Sequence, residues 1–298
     1  MKVSASHRVL DMSKNHLPVE RVVSGSVVTF ETMDCFSNTI ERSDQYFSSV
    51  GWDKVNPATG PIYIEGAEPG DILKVEILDI RVAAQGVVAA APGFGALGEE
   101  MEREVTKIVK VECDRALFSD RIHLPIRPMI GVIGVAPEGE AVSTGTPGEH
   151  GGNMDCKRIV KGAVLYLPVN AEGALLSMGD LHAVMGDGEI VVCGLEIAGE
   201  VDVRVSVLKD TVLPIPFLIE GGSLMTIASA KTLDEASVEA TRKMHRFLCE
   251  RLGIEKHEAG MLLSLAGDLR VCQIVDPLMT ARMEFPLEIG KRCGFQPD

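Results

Sequence analysis

The placement of strand-like and helix-like patterns along the chain constrains its fold more than any other sequence feature. Up to residue 231, apolar residues fall in short runs separated by turns that contain glycine or proline. Val201–Leu208 is the clearest run, because valine occupies every second position up to residue 207. Such alternation is typical of a β-strand with one buried face. Since helices do not alternate with these strands, the pattern excludes a doubly wound parallel fold.

A helical pattern begins only at Thr232. Thr232–Glu235 has the form of a capping box, and apolar residues then recur at three- and four-residue spacing, which predicts a helix near Thr232–Leu252. A shorter helix is expected at about His257–Leu265, with a strand at Asp268–Val275 after it. We therefore predict a mainly β (α+β) fold, a β-sandwich or distorted barrel built from two β-rich parts, with a late helical pair.

The other segments follow from the same patterns. Strands are predicted at Arg21–Glu31, Asp71–Val82, Val105–Glu112, Met129–Ala136, Gly162–Val169 and Glu189–Glu196. We expect helix and then loop at 41–56, a loop at 85–100, and an irregular tail after Pro277. The chain of 298 residues is interpreted as one unit. Its expected sub-parts are an N-terminal β part (1–140), a central β part carrying the site loops (141–230) and a helical C-terminal part (231–298).

Charge and cysteine content narrow the classes of function. The net charge is −14 and no run is rich in lysine and arginine, which argues against nucleic acid and against an anionic membrane surface. Seven cysteines without a CxxC pair indicate a reducing compartment, so we expect a cytoplasmic location. The N-terminus lacks the apolar segment of a signal peptide, and no apolar run reaches the length of a membrane span.

Candidate functional residues concentrate between residues 145 and 200, in loops that lie between apolar runs. Asp180 and His182 are separated by one residue, so an extended backbone would place both side chains on the same face. Asp155 follows a Gly-Gly pair, whose flexible backbone permits close approach to a neighbouring strand end. Carboxylate and imidazole groups of this kind suit Zn²⁺ or another divalent metal.

Several neighbouring residues have two interpretations. Asp34 follows a predicted strand, so it either faces a site or caps a turn. Glu149 and His150 lie in a glycine-rich loop, where each is a general base, a ligand or a surface residue. The segment Asp187–Glu189 favours a plain turn, while an oxygen-ligand site for Ca²⁺ is its alternative.

Two other classes of function explain parts of the same pattern. Cys156 offers a cysteine nucleophile, but adjacent strand residues point to opposite faces, so Lys157 is badly placed to activate it. A non-catalytic β module that binds a metal or another ligand would also account for the carboxylates and His182. A fully coordinated structural metal is a third explanation.

Four segments together resemble the acetamidase/formamidase family. They are Tyr63–Asp71, Gly148–Asp155, Met178–Glu189 and Ala266–Pro277, and they span nearly the whole chain in order. The resemblance implies hydrolysis of a small aliphatic amide, formamide or acetamide, to a carboxylate and ammonia. It also implies a mainly β architecture, a cytoplasmic enzyme and dependence on a metal. We further expect a homo-oligomer whose partner is a small-molecule amide.

The resemblance carries over a set of site residues without fixing their roles. They are Asp34, Glu149, Asn153, Asp155, Asp180, His182 and Glu196. Our hypothesis gives the metal, Zn²⁺ or alternatively Ca²⁺, to Asp180 and His182 with Asp155 and Asp34. Glu196 or Glu149 then acts as general base, and Asn153 or the metal stabilises the oxyanion. We expect a small pocket that limits the acyl group to one or two carbons. One departure from the family is the segment 254–258, which lacks a Ser/Thr cap before the second helix.

Overall fold

The computed structural model describes residues 1–296, in which β-strands dominate. The strands are β1 (Lys2–Val3), β2 (Arg8–Val9), β3 (Asp11–Met12), β4 (Glu20–Val23), β5 (Val27–Thr32), β6 (Ala58–Glu65), β7 (Ile72–Val82), β8 (Gln85–Ala90), β9 (Val105–Glu112), β10 (Arg115–Leu117), β11 (His123–Pro125), β12 (Met129–Gly134), β13 (Val142–Ser143), β14 (Gly151–Asn153), β15 (Val164–Pro168), β16 (Leu176–His182), β17 (Glu196–Ile197), β18 (Gly199–Leu208), β19 (Phe217–Glu220), β20 (Ser223–Ala230), β21 (Asp268–Gln273) and β22 (Met279–Pro286). The helices are α1 (Leu233–Glu250), α2 (Lys256–Ala266) and α3 (Leu287–Arg292).

Most of these strands join two large sheets. Sheet one has nine strands in the order β1-β5-β18-β7-β15-β19-β20-β22-β21. Sheet two has eleven strands: β11-β10-β9-β8-β17-β16-β12-β14 form its main path, β6 pairs with β16, and β2 and β4 pair with β6. Pairing is antiparallel except for β1 with β5 and β4 with β6. The remaining strands, β3 and β13, pair with each other.

The main hydrophobic core lies between the two large sheets. Phe30, Ile77 and Val203 of sheet one belong to the same buried cluster as Ile64 and Leu181 of sheet two. Alternate residues of each strand thus face a common core, as the period-two pattern predicts. The mainly β fold is confirmed, and within residues 1–296 the strand pairing closes no barrel.

The predicted late helices are confirmed close to their expected bounds. Helix α1 lies on β20 and β22, where Met244 and Phe247 join a second buried cluster with Phe217. The backbone N–H of Glu235 donates to the Thr232 hydroxyl at 3.2 Å, as the capping box requires. At α2 the missing Ser/Thr cap is replaced by the Glu255 carboxylate, which accepts from the next two backbone N–H groups but one and two along.

Four local predictions are wrong. The region 41–56 forms 3₁₀ turns instead of a helix, and Gly51 there has a φ of 77°, which breaks helical geometry. The expected loop at 85–100 contains β8, which pairs with β9. The strand expected at 189–196 shrinks to β17, since Glu189 has a left-handed φ of 46°. The expected irregular tail contains β22 and α3, while its last two residues lie outside the described part.

None of the helices within residues 1–296 has both the length and the apolar character that a membrane span requires.

Candidate active site

A cavity of about 430 Å³ opens where loops meet the edge strands and the centre of sheet two. Its polar lining comes from the ends and turns of strands that are far apart in sequence. These residues are Asn153, Asp155, Asp180, His182, Glu189, Glu196 and Asp276. No lysine or arginine is among the described lining residues. The cavity therefore places five carboxylates beside one imidazole.

The imidazole of His182 is at the centre of this group. Its Nε2 atom lies 2.9 Å from Oε1 of Glu196, 3.6 Å from Oδ1 of Asp180 and 3.7 Å from Oδ1 of Asp155. Oε1 of Glu189 is 3.9 Å away. All five side chains are buried, so these groups meet in surroundings that screen charge poorly. We call them, together with Asp276, the acidic cluster.

The strand register explains why these side chains converge. His182 on β16 faces Glu196 on β17 directly across an antiparallel pair, which brings their side chains together on one side of the sheet. On the other edge of β16, the pairs Ile130–Leu181 and Val132–Gly179 place residue 131 opposite residue 180. The sequence argument for a common face of Asp180 and His182 therefore agrees with where the structure places them.

Gly131 makes room for two of the carboxylates. A Cβ atom at this position would lie 2.5 Å from Oδ1 of Asp155 and 2.6 Å from Oδ2 of Asp180. Both distances are far below ordinary van der Waals contact, so any larger residue would displace the carboxylates. Asp155 and Asp180 also have left-handed backbone conformations, with φ of 41° and 54°. Such strain at buried polar residues is a frequent property of functional sites.

Asp276 and Glu189 complete the cluster, and the sequence analysis did not propose either as a probable site residue. The Nδ2 group of Asn153 donates to both carboxylate oxygens of Asp276, at 3.1 and 3.0 Å. Oε1 of Glu189 accepts from the backbone N–H of Gly194 at 3.0 Å, which turns the carboxylate inward. The signal for Asp276 was its position at a strand end before Pro277, in a segment already noted for its resemblance.

The proton affinities in the cluster are strongly perturbed. Burial raises the pKa of Glu196 to about 8, although the neighbouring His182 opposes this shift. Burial, followed by the charges of Asp276 and Asp180, raises the pKa of Asp155 well above its usual range. For His182 itself burial lowers the pKa, but Glu196 and Asp180 outweigh that effect and raise it. These carboxylates cannot all ionise unless protons or a cation supply compensating positive charge.

The donor set fits a divalent cation. Ligand atoms of Asp155, His182 and Glu189 all lie within 4.8 Å of one another, as do those of Cys35, Asp180 and Glu196. Several carboxylate oxygens in the cluster are buried without a hydrogen-bond partner. They are Oδ1 of Asp155, Oδ1 of Asp180, Oε2 of Glu189 and both oxygens of Glu196. Since buried polar atoms are rarely unpartnered, these oxygens indicate an additional charged or polar ligand.

Oε1 of Glu196 needs a separate remark. It is close to Nε2 of His182 in distance, yet the two atoms are not aligned as a hydrogen bond. Short distance without alignment is the geometry of two ligand atoms that point toward a shared third atom.

The structure does not bring Asp34 or Glu149 into the cavity lining. Oδ1 of Asp34 accepts from the backbone N–H groups of Phe36 and Asn38 at 3.0 and 2.7 Å, which is the turn-capping role. Burial raises the pKa of Asp34 to about 6. The Glu149 side chain is exposed and lies 3.5 Å from Nζ of Lys243, beside a different cavity. Its neighbour on the loop, His150, is buried, and burial lowers its pKa to about 4.

Cys156 is also remote from the cavity lining. Its side chain is fully buried in the main core cluster, which includes Cys272. The adjacent Lys157 points elsewhere and pairs with Asp187 at 3.1 Å, as strand alternation predicts. Asp187 is further held by Arg282, with two hydrogen bonds of 2.7 and 3.0 Å, so this part of the Gly-Asp-Gly turn is structural.

Fold and site together define a mainly β protein with buried acid–base and metal-ligand chemistry at a loop-lined cavity. The chain matches the acetamidase/formamidase family over residues 14–144 and 138–292. It belongs to that family, and it is accordingly an amidohydrolase.

Solved structures and a curated relative agree with this assignment. An acetamidase from Bacillus halodurans is 51% identical with a TM-score of 0.98, over 99% of this chain and 100% of that one. A predicted acetamidase/formamidase from Thermoanaerobacter tengcongensis is 43% identical with a TM-score of 0.95, over 99% and 98%. A formamidase from Methylophilus methylotrophus is 28% identical over 258 residues, 65% of this chain and 62% of that protein.

Proposed function

We propose that this protein hydrolyses short aliphatic primary amides, such as formamide and acetamide, to a carboxylate and ammonia, with assistance from a divalent metal. The observation that supports the proposal most strongly is the convergence of four carboxylates on Nε2 of His182 inside a cavity. The printed names of the relatives point to the same substrates.

The metal would be held by His182 with Asp155, Asp180 and Glu189. Their buried oxygens lack other partners, and a set of imidazole and carboxylate ligands suits Zn²⁺; Ca²⁺ is the alternative for an oxygen-rich site. When bound, such a metal supplies a Lewis acid that polarises a carbonyl oxygen and makes water more acidic.

Glu196 is the residue that we assign to proton transfer. It is buried, faces the cavity and has a pKa of about 8, so its affinity for protons is suited to exchange near neutral pH. Glu196 would take a proton from the attacking water and then return it to the leaving nitrogen as ammonia departs. Proton transfer of this kind contributes about 10²–10⁴-fold to the rate.

Asn153 would orient the substrate amide. Its Nδ2 group is engaged by Asp276, while its Oδ1 atom is buried without a partner. That oxygen can accept a hydrogen bond from the substrate NH₂ group, which differs from the oxyanion-donor role expected from the sequence. Asp276 then acts as the anchor that fixes the Asn153 side chain.

Ammonia release from formamide and acetamide by the zinc-supplemented protein tests the proposal. We expect turnover that depends on His182 and Glu196. A protein that binds metal but releases no ammonia from any short amide would instead be a non-catalytic metal-binding module. Full activity in His182→Ala would remove the site assignment.

We also place the protein in the cytoplasm as a homo-oligomer. All seven cysteines are free thiols, which suits a reducing compartment. Met261 and Leu265 on α2 and Leu269 on β21 are 59%, 85% and 50% exposed, and an apolar surface of this kind suits self-association. Light scattering during gel filtration tests the assembly, and a monomeric mass would contradict it.

A further inference from the structure

One wall of the active-site cavity has a chemistry that hydrolysis of acetamide does not need. We propose that this enzyme takes neutral primary amides with an aryl-bearing acyl group, of which phenylacetamide is the simplest probe, in preference to acetamide. This inference rests on the proposed amide hydrolysis and names the class of acyl group that the cavity selects.

The wall is formed by three phenylalanines that contact one another in a row. The ring centroids of Phe36 and Phe47 are 6.2 Å apart, and those of Phe47 and Phe94 are 5.3 Å apart with an edge-to-face angle of 88°. All three residues line the cavity. The whole chain has only nine phenylalanines, so a third of them are gathered here. Aromatic rings present faces and edges on which another ring packs favourably.

This aromatic wall starts beside the acidic cluster. Phe36 directly follows Cys35, whose Sγ atom lies within 4.8 Å of ligand atoms of Asp180 and Glu196. From Phe36 the row leads through Phe47 to Phe94, which belongs to a separate loop. A carboxamide held at the acidic cluster would therefore extend its acyl group along the rings.

The volume of the cavity exceeds the needs of a small amide. Acetamide has four non-hydrogen atoms, which occupy roughly 120 Å³ at about 30 Å³ for each water-sized group. The cavity measures about 430 Å³. It therefore leaves most of its space for a larger acyl group, in contrast to the limit of one or two carbons expected from the sequence. Cavities of this size are typical of sites for larger organic ligands.

The charge of the lining determines which large acyl groups fit. Five carboxylates line the cavity, and its described lining residues include no lysine or arginine. An acyl chain that ends in a carboxylate would be repelled and would find no partner. Val55, Val192 and Val275 extend the apolar part of the lining. A neutral, apolar acyl group is thus favoured over an anionic one of similar length.

The test compares three amides with the metal-loaded wild-type enzyme: acetamide, phenylacetamide and succinamate, whose acyl chain is anionic. We expect kcat/KM for phenylacetamide to exceed that for acetamide by about 10–200-fold, the range in which hydrophobic pockets discriminate. Succinamate should be hydrolysed less efficiently than acetamide. A value for phenylacetamide at or below that for acetamide overturns this inference and leaves the proposed function intact. Hydrolysis of none of these amides, nor of formamide, overturns both.

Variants of the wall assign the preference to its rings. Phe47→Ala and Phe94→Ala should each lower the phenylacetamide-to-acetamide ratio of kcat/KM by about tenfold or more. The matched control Phe118→Ala changes a phenylalanine that is 38% exposed and does not line this cavity, so the ratio should stay constant. A ratio that is equally constant in both wall variants overturns the assignment. If a variant fails to fold, competition by phenylacetamide against acetamide in the wild-type enzyme gives the same answer, and absence of competition overturns the inference.

Discussion

Nε2 of His182 lies 2.9 Å from Oε1 of Glu196, and the two residues are direct partners across β16 and β17. Neither side chain is exposed to solvent by more than 1%. A strand register that moved by one residue would send one of the two side chains to the opposite face of the sheet. The backbone ladder therefore sets the position of the site's imidazole relative to its proton-transferring carboxylate.

Removing the charge of Glu196 should reduce turnover without loss of the fold. In Glu196→Gln the side chain keeps its size but no longer accepts a proton, so we expect kcat for acetamide to fall by about 10²–10⁴-fold. Glu149→Gln is the matched control, because Glu149 is exposed and lies outside the cavity lining. Steady-state ammonia release measures both. Equal losses in the two variants would contradict the assignment of Glu196.

Removal of metal should abolish activity reversibly. We expect dialysis against a chelator to stop ammonia release, and Zn²⁺ to restore it, because the buried carboxylates then regain a positive partner. Metal binding to the folded state should also raise the unfolding temperature. His182→Ala should bind less zinc by elemental analysis. Full activity in a protein shown to be free of metal would end the metal part of the proposal.

A single methyl group at Gly131 should disable the site. In Gly131→Ala the new Cβ would come within 2.5 Å of the Asp155 carboxylate and 2.6 Å of that of Asp180, so both must move. Misplacement by about 1 Å can cost about 10²-fold in rate, which is the loss that we expect in kcat/KM. Gly139→Ala is the control, since a Cβ there has no heavy atom within 4 Å. Bound zinc should fall in the first variant only; unchanged zinc and turnover there would contradict the prediction.

Acidification should weaken the fold through His150. Burial lowers the pKa of this residue to about 4 from its ordinary value of 6.5, so the folded state binds fewer protons than the unfolded chain. Its contribution to stability is therefore complete above pH 6.5 and is lost as the pH falls toward 4. Between pH 7.5 and 5 this amounts to about 2 kcal/mol.

Urea unfolding measures this effect. The free energy of unfolding should decrease less on acidification in His150→Gln than in the wild type, by about that amount. His257→Gln serves as control, because His257 is exposed at the start of α2. Identical pH dependence in the wild type and His150→Gln would show that His150 is not the responsible group.

Local rules were sufficient for elements whose signals lie within the element itself. The capping box at Thr232 and the apolar spacing after it predicted α1 within about two residues of its observed bounds. The alternation in Val201–Leu208 predicted β18, whose observed range starts two residues earlier at Gly199. In both cases the buried face is encoded by consecutive residues, so no distant partner is needed to recognise it.

Elements that depend on distant partners were beyond local rules. β16 carries Asp180 and His182, yet its sequence contains glycine and polar residues, and it becomes a strand because β6, β12 and β17 pair with it. The same holds for Glu189 and Asp276, which reach the cluster through turns whose directions local sequence does not specify. Asp34 and Glu149 show the converse, because plausible residue types can point to other partners.

The left-handed backbone of Asp155 and Asp180 has a consequence for anyone who engineers this protein. Glycine adopts these conformations without the penalty of about 1 kcal/mol that a side chain incurs, and it would also remove a crowded negative charge. A library screened only for survival after heating should therefore enrich glycine at these two positions. Such a campaign would return robust but inert proteins unless every round also selects for turnover.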